Sequence, residues 1–221
     1  MDAAPTAPPT ILVVDDTPGN LDLLGRILTD AGYRVRQLPC GELALTSART
    51  APPDLILLDI RMPGLDGFEV CQRLKEEAIT AEIPILFISA LQDAGDKVRA
   101  FAAGGLDYIT KPFQTEEVLA RVATHLRLSA LQRRLELQNR ELERLATTDP
   151  LTGILNRRSF TDYGLHYLAH ANRYGRPFGL IMFDIDKFKA VNDCHGHGVG
   201  DKVLVVVTER IRACLRGCRQ K

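Results

Sequence analysis

Residues 55–67 read LILLDIRMPGLDG, and this stretch decides how the first half of the chain folds. Leu55 to Leu58 are apolar without a break, too continuous for a strand with one wet face and suited to a parallel strand covered on both. The run stops on an acid, Asp59, and Met62-Pro63-Gly64 then makes a tight turn. Outward from there the pattern repeats. ILVV at 11–14 runs into Asp15 and Asp16, ILFI at 85–88 runs into Ser89, and DYIT at 107–110 runs into Lys111. The expected strands are Ile11–Asp16, Tyr33–Gln37, Asp54–Asp59, Pro84–Ser89 and Asp107–Thr110. Helical patterns lie between them at about 18–31, 41–50, 67–77 and 93–103, and a fifth begins near Thr115. Five successive βα units with right-handed crossovers imply a doubly wound α/β sheet with helices on both faces.

Ligands of such sheets bind outside the carboxyl ends of the strands, and the polar residues collect there. Asp15, Asp16, Asp59, Ser89 and Lys111 bring three carboxylates, a hydroxyl and an ammonium to one edge from four strands. Each alone reads more readily as a helix cap or a solvated loop residue; the five together point to a site. Clustered carboxylates repel one another and need a cation, and an all-oxygen set suits Mg²⁺. Asp16 and Asp59 would hold it, with Asp15 close by and the Arg61 backbone carbonyl available. One oxygen of Asp59 would remain to attack phosphorus, while Lys111 and Ser89 serve the other phosphoryl oxygens. That chemistry is positioning plus charge neutralisation.

The bulk properties exclude several alternatives. Lysine plus arginine and aspartate plus glutamate number 28 each, so there is no electrostatic case for binding DNA or a membrane surface. No apolar run approaches the length of a membrane span, and MDAAPTAPPT lacks the basic and apolar regions of a signal peptide, reading as a disordered leader over 1–10. The five cysteines are odd in number and scattered, which suits reduced thiols and a cytoplasmic location. Cys194, His195 and His197 lie close together, but no second ligand pair stands at zinc spacing.

The set ILVVDD, LILLDIRMPGLDG, ILFISA and DYITKPF resembles the receiver domains of two-component response regulators, a flavodoxin-like fold, across residues 11–127. The resemblance implies that Asp59 is the phosphoacceptor and that a sensor histidine kinase is the phosphodonor. It makes Asp15 and Asp16 the acidic pair for Mg²⁺, Ser89 and Lys111 the phosphate-sensing pair, and Tyr108 an aromatic switch that swings inward. It further implies a cis Lys111–Pro112 peptide. The competing reading of Tyr108, an edge aromatic half covering the core, is compatible with a switch.

Beyond Pro112 a helical pattern runs from about Thr115 to Ala146 without Gly or Pro. Leu128, Leu131, Leu135, Leu142 and Leu145 recur on alternating three- and four-residue steps, and Gln138 takes the remaining slot. Arg133, Arg134, Glu136, Arg140, Glu141, Glu143 and Arg144 fill outward positions. This is the seam of a coiled coil, expected to pair two copies in parallel over 128–147; an amphipathic helix lying on its own domain is the plainer alternative.

From Asp149 the motifs change. DPLTGILNRRSF (149–160) precedes a helix to about Tyr174, followed by an expected strand, PFGLIMFDID (177–186), and KFKAVNDCHGHGVGDKVL (187–204). Asp184 and Asp186 end the apolar run, where a carboxylate can hold Mg²⁺ on a triphosphate. Lys189 suits phosphate oxygens, and Asn192 and Asp201 suit a guanine edge. These motifs resemble the first half of the GGDEF domain of diguanylate cyclases, which join two GTP into cyclic di-GMP. By that resemblance Asp184 and the Ile185 carbonyl are metal ligands, Lys189 a phosphate contact, and Asn192 and Asp201 guanine contacts. Lys187 stands where many members carry an aromatic residue near the base. Residues 148–221 would be the N-terminal part of an α/β GGDEF domain, its signature expected a few residues past Lys221. The chain as written is therefore expected to be inactive as a cyclase. Two functions compete: a phosphorylation-controlled diguanylate cyclase, and a non-enzymatic receiver and dimerisation module acting as a phosphate sink or mixed-dimer inhibitor.

Overall fold

The computed structural model describes residues 7–90 and 103–217. Five parallel strands form one sheet: β1 (Thr10–Val14), β2 (Arg34–Leu38), β3 (Leu55–Asp59), β4 (Ile85–Ala90) and β5 (Asp107–Lys111), in the order β2-β1-β3-β4-β5. Seven helices accompany them among the described residues: α1 (Pro18–Asp30), α2 (Gly41–Thr50), α3 (Gly67–Glu76), α4 (Thr115–Thr147), α5 (Arg157–Tyr174), α6 (Phe188–His195) and α7 (His197–Gly217). The helix expected at 93–103 falls almost wholly outside the described residues.

Alternation along each strand divides the core into two layers. Leu12, Val14, Ile56, Leu58, Ile85 and Phe87 face α2 and α3, meeting Ala44, Leu45, Phe68, Val70 and Leu74. Ile11, Val13, Leu55, Leu57, Leu86, Ile88 and Ile109 face the other way, against Leu24 and Leu28 of α1 and Val118 and Val122 of α4. Unbroken apolar runs are thus what a strand buried on both faces requires. The doubly wound, flavodoxin-like reading holds, with strand ends displaced by one or two residues.

Local signals fix the helix starts. Pro18 opens α1, where its missing N–H costs nothing. Asp66 caps α3 by accepting from the Glu69 N–H at 2.8 Å, while the Glu69 carboxylate accepts from the Asp66 N–H, a reciprocal capping box. α4 runs unbroken through 33 residues, and Leu128, Leu131, Leu135, Leu142 and Leu145 are all exposed on it.

The chain divides into two compact units, 1–134 and 135–221. In the second, DPLTGILN builds a small knot onto the end of α4. Asp149 accepts from the Thr152 N–H and Oγ1–H at 2.8 and 2.7 Å, which hold its carboxyl below the usual range. The Asn156 amide donates to the Ala146 carbonyl at 2.7 Å, and Asn156 also caps α5 through the Ser159 N–H. Gly175, in the left-handed region, ends that helix.

One expectation fails here. Residues 177–186 form no strand: they pair with nothing in a sheet, and Ile181 and Met182 are 87% and 86% exposed. A strand exists only by pairing, and among the described residues of this unit the sole β-type contact is an isolated bridge from Thr148 to Leu155. Among the described residues, 148–217 therefore show helices and one isolated bridge in place of the α/β character expected of 148–221.

Candidate functional site

The carboxyl edge of the sheet gathers the residues the sequence placed there. Asp15, immediately after β1, is fully buried and donates its backbone N–H to the Leu38 carbonyl. Its carboxylate accepts from the Thr17 N–H at 2.9 Å and from the Asn20 amide at 3.0 and 2.9 Å. Asp16 is exposed beside it, and Asp59 ends β3 nearly buried. Ligand oxygens of the three acids lie within 4.8 Å of one another. The Lys111 ammonium, at the end of β5, reaches Asp15 Oδ2 at 2.9 Å and Asp59 Oδ2 at 3.0 Å. Lys111–Pro112 is cis.

This geometry has electrostatic consequences. Burial pushes the Asp59 carboxyl up; the Lys111 hydrogen bond opposes that, Asp15 adds to it, and the net displacement is upward. Burial pulls the Lys111 ammonium down, but its bonds to Asp15 and Asp59 outweigh burial and leave it raised. One ammonium among three carboxylates leaves the cluster short of positive charge, the condition under which a divalent cation is held by oxygen ligands.

A cavity of about 220 Å³ opens over the cluster, lined by Asp16, Thr17, Asp59, Arg61, Ser89 and Lys111. Ser89 is buried in β4 with its register partner Thr110 alongside. Close packing underneath fixes the floor. A Cβ on Gly67 would lie 2.3 Å from the Asp59 carbonyl oxygen and 2.9 Å from the Ile60 Cα, so only glycine lets α3 begin against the acid's own backbone. Tyr108, on β5, is half-buried against the α2–α3 core layer.

Two groups do not stand out in the sequence, Asn20 at this edge and Arg121 beside the first residues of β5. Asn20 reads as an ordinary first-turn residue of α1, and only the fold shows it donating twice to Asp15. Arg121 of α4 binds Asp107 Oδ2 at 2.6 Å and Glu117 at 2.9 Å, with its guanidinium carbon 5.6 Å from the centre of the Tyr108 ring.

In the second unit Asp184, Lys189 and Asp201 are exposed, and Ile185 and Asn192 are half-exposed. Asn192 lies beside the backbone that leads to Asp201. A Cβ on Gly200 would sit 1.9 Å from Asn192 Oδ1, so the Asn192 side chain lies directly on the Gly200 backbone, one residue before Asp201. Lys187 holds a left-handed backbone (φ 56°) at the start of α6. Among the described residues, no further group of three metal-ligating side chains occurs, and no helix is long and apolar enough to cross a membrane.

Comparison with known proteins agrees with both motif sets. Residues 11–123 match the response regulator receiver domain, and residues 146–220 match the diguanylate cyclase GGDEF domain. The chain is similar to the DNA-binding dual master transcriptional regulator RpaA of Synechocystis, with 47% identity over 54% of this chain and 49% of that one. It is also similar to the response regulator PleD of Caulobacter vibrioides, with 44% identity over 51% of this chain and 25% of that one. The chain thus spans about half or less of the length of the curated relatives it matches. Among solved structures, a response regulator from Chloroflexus aurantiacus superposes with a TM-score of 0.53 and 38% identity, over 54% of this chain and 98% of that one. The receiver match takes in more than half of the 221 residues, and the protein belongs to the response regulator receiver family, its receiver followed by a GGDEF segment.

Proposed function

We propose that this protein is a phosphorylation-controlled response regulator in which Asp59 accepts a phosphoryl group and the segment after α4 belongs to a diguanylate cyclase output domain. The observation that carries the reading is the convergence of Asp15, Asp16, Asp59 and Lys111 beneath one open cavity. The domains are a receiver over 11–127, a linker over 128–147 and a GGDEF segment over 148–221.

In the receiver, Asp15, Asp16, Asp59 and the Arg61 carbonyl are the residues to hold Mg²⁺. When bound, the ion screens the acids and the incoming phosphoryl oxygens. A free Asp59 oxygen attacks phosphorus, the bond from phosphorus to the donor breaks with its electrons leaving on the donor, and an acyl phosphate forms on Asp59. The Lys111 ammonium, already bonded to Asp59, transfers to a phosphoryl oxygen, and the Ser89 hydroxyl donates to another. Drawing Ser89 toward the phosphoryl group vacates space into which Tyr108 turns. A sensor histidine kinase is the phosphodonor.

The exposed leucines of α4 pair with a second copy in parallel, a reading their heptad spacing and exposure support. Three heptads are marginal alone, so pairing depends on the receivers as well. Dimerisation suits the output chemistry, because a symmetric product of two GTP needs two nucleotide sites face to face. On each copy Asp184 and the Ile185 carbonyl serve metal, Lys189 serves phosphate, and Asn192 and Asp201 read guanine. The packing of Asn192 on Gly200 supports that last pair.

Acetyl phosphate labelling tests the reading. The wild-type chain gains one phosphoryl mass in the presence of Mg²⁺. Asp59→Asn gains none, and chelating the metal abolishes the gain in the wild type. Labelling that persists in Asp59→Asn refutes the acceptor, and labelling that persists without metal refutes the role of the acidic cluster.

A further inference from the structure

Asp15 is fully buried, and the chain surrounds its carboxylate with donors. Oδ1 accepts from the Thr17 N–H at 2.9 Å and from the Asn20 amide at 3.0 Å; Oδ2 accepts from the same amide at 2.9 Å and from the Lys111 ammonium at 2.9 Å. An ionised carboxylate offers about four lone-pair positions, so all of its positions are taken. Asn20 makes two of those contacts, and the fold fixes where it stands. Its N–H donates to the Thr17 carbonyl at 3.0 Å in the first turn of α1, and Leu21 and Leu24 bury the turn that follows against the sheet. The other two acids are placed differently. Asp16 is exposed, accepting from the Thr17 hydroxyl at a long 3.3 Å, and Asp59 ends β3 with Lys111 on Oδ2. Among the described residues, Asp16, Asp59 and Arg61 line the cavity over the cluster and Asp15 does not, although oxygens of all three acids lie within 4.8 Å of one another.

We infer that Asn20 is a specificity-determining residue for the ion: by saturating Asp15 it keeps that carboxylate from becoming a direct ligand, and so tunes the cluster to Mg²⁺ against Ca²⁺. With Asp15 withheld, Asp16, Asp59 and the Arg61 carbonyl supply the ligand oxygens, and Asp15 supplies charge alone. Such a sparse set suits Mg²⁺, which holds a small octahedral shell and keeps several waters. Ca²⁺ takes about six to eight oxygens and gains from each added carboxylate. Removing the Asn20 amide vacates acceptor positions on a buried carboxylate, where an unpaired acceptor is costly, and turning toward a cation satisfies them again. The inference rests on the receiver reading and names the residue that sets which ion that site takes.

Calorimetric titration of the full chain with MgCl₂ and with CaCl₂, without phosphodonor, gives a dissociation constant for each ion. Heat that remains in a double variant, Asp16→Asn with Asp59→Asn, is subtracted so that the acidic cluster alone is read. The quantity compared is the ratio of the Ca²⁺ constant to the Mg²⁺ constant. Asn20→Ala is expected to lower that ratio about tenfold, the lower end of what the outer partners of metal ligands contribute. In an Asp15→Asn background the same substitution should leave the ratio unchanged, because the carboxylate through which Asn20 acts is gone. A merely structural Asn20 would shift both backgrounds alike. Melting in EDTA checks that each variant folds, and if Asn20→Ala does not, Asn20→Ser, which keeps one donor, is expected to lower the ratio part of the way. A wild-type ratio in the folded variant overturns the inference, and so does an equal shift in the Asp15→Asn background. Wild type that takes up neither ion at the cluster overturns instead the receiver reading beneath it, so the two failures are distinguishable.

Discussion

LILL at 55–58 and LIMF at 180–183 are nearly the same sentence in residue types, yet the first is completely buried and the second is among the most exposed apolar stretches in the molecule. Leu55 to Leu58 lie in β3, flanked by β1 and β4 and covered by helices on both faces. Leu180 to Phe183 carry the same hydrophobicity into a segment with no strand beside it. Apolar content sets how much free energy burial can release, roughly 25 cal/mol per Å². Whether it is released depends on neighbours contributed by distant chain.

The contrast breaks most readily by truncation. Leu58→Ala should destabilise the receiver by about 2–5 kcal/mol, the range for buried leucine in a close-packed core. Ile181→Ala should change stability by no more than about 0.5 kcal/mol, the range for surface positions. Denaturant unfolding of each variant measures both. A large loss at Ile181 would show that 177–186 is covered in solution and that the contrast is false.

Glycines sharpen it next. Gly67→Ala forces a methyl against the Asp59 backbone and should cost about 1–3 kcal/mol, the usual penalty of overpacking. It should also slow labelling of Asp59, because the backbone that must yield is that of the acceptor. Gly164 lies inside α5 with nothing within 4 Å of a would-be Cβ. There alanine should stabilise the helix by about 0.5–1 kcal/mol. Opposite signs in thermal unfolding of the two variants are the expected result; equal signs would contradict the packing beneath Asp59.

How much of this was legible in sequence follows the same division. β1, β3 and β4 announce themselves because burial on both faces demands an unbroken apolar run. β2, RVRQL, is an edge strand with exposed polar residues and is placed mainly by its rhythm between neighbours. Asp15, Asp16, Asp59 and Lys111 are legible because acids and a lysine at strand ends have no packing role to explain them. Asn20 is not legible, since an amide in the first turn of a helix is ordinary and its value depends on Asp15 lying beneath it. The Arg121–Asp107 pair is hidden for a related reason: it joins a helix to the outer edge of the sheet, and neither partner is unusual in its own element. The strand expected at 177–186 fails because propensity describes one segment, while a strand requires at least two.

A last effect lies in the charge of the acidic cluster. Asp59 has a carboxyl raised above its ordinary 3.8, so the native state binds its proton more readily than the unfolded chain does. Stability from this group therefore falls as pH rises from the unfolded value through the raised native one, and the penalty persists above it. Asp107 works in the opposite sense: its lowered carboxyl stabilises above the unfolded value, and that contribution is lost as pH falls through the native one. Asp59→Asn isolates the first group and leaves the second in place. In EDTA, the melting temperature of the variant relative to wild type should rise as pH increases from below 4 to neutrality and then level off. Saturating Mg²⁺ should raise the wild type at neutral pH, by about 2.7 kcal/mol at a hundredfold excess over its dissociation constant, and raise Asp59→Asn less. A difference independent of pH and metal would mean that Lys111 alone satisfies the three acids, and the cluster would then have no electrostatic reason to bind a cation.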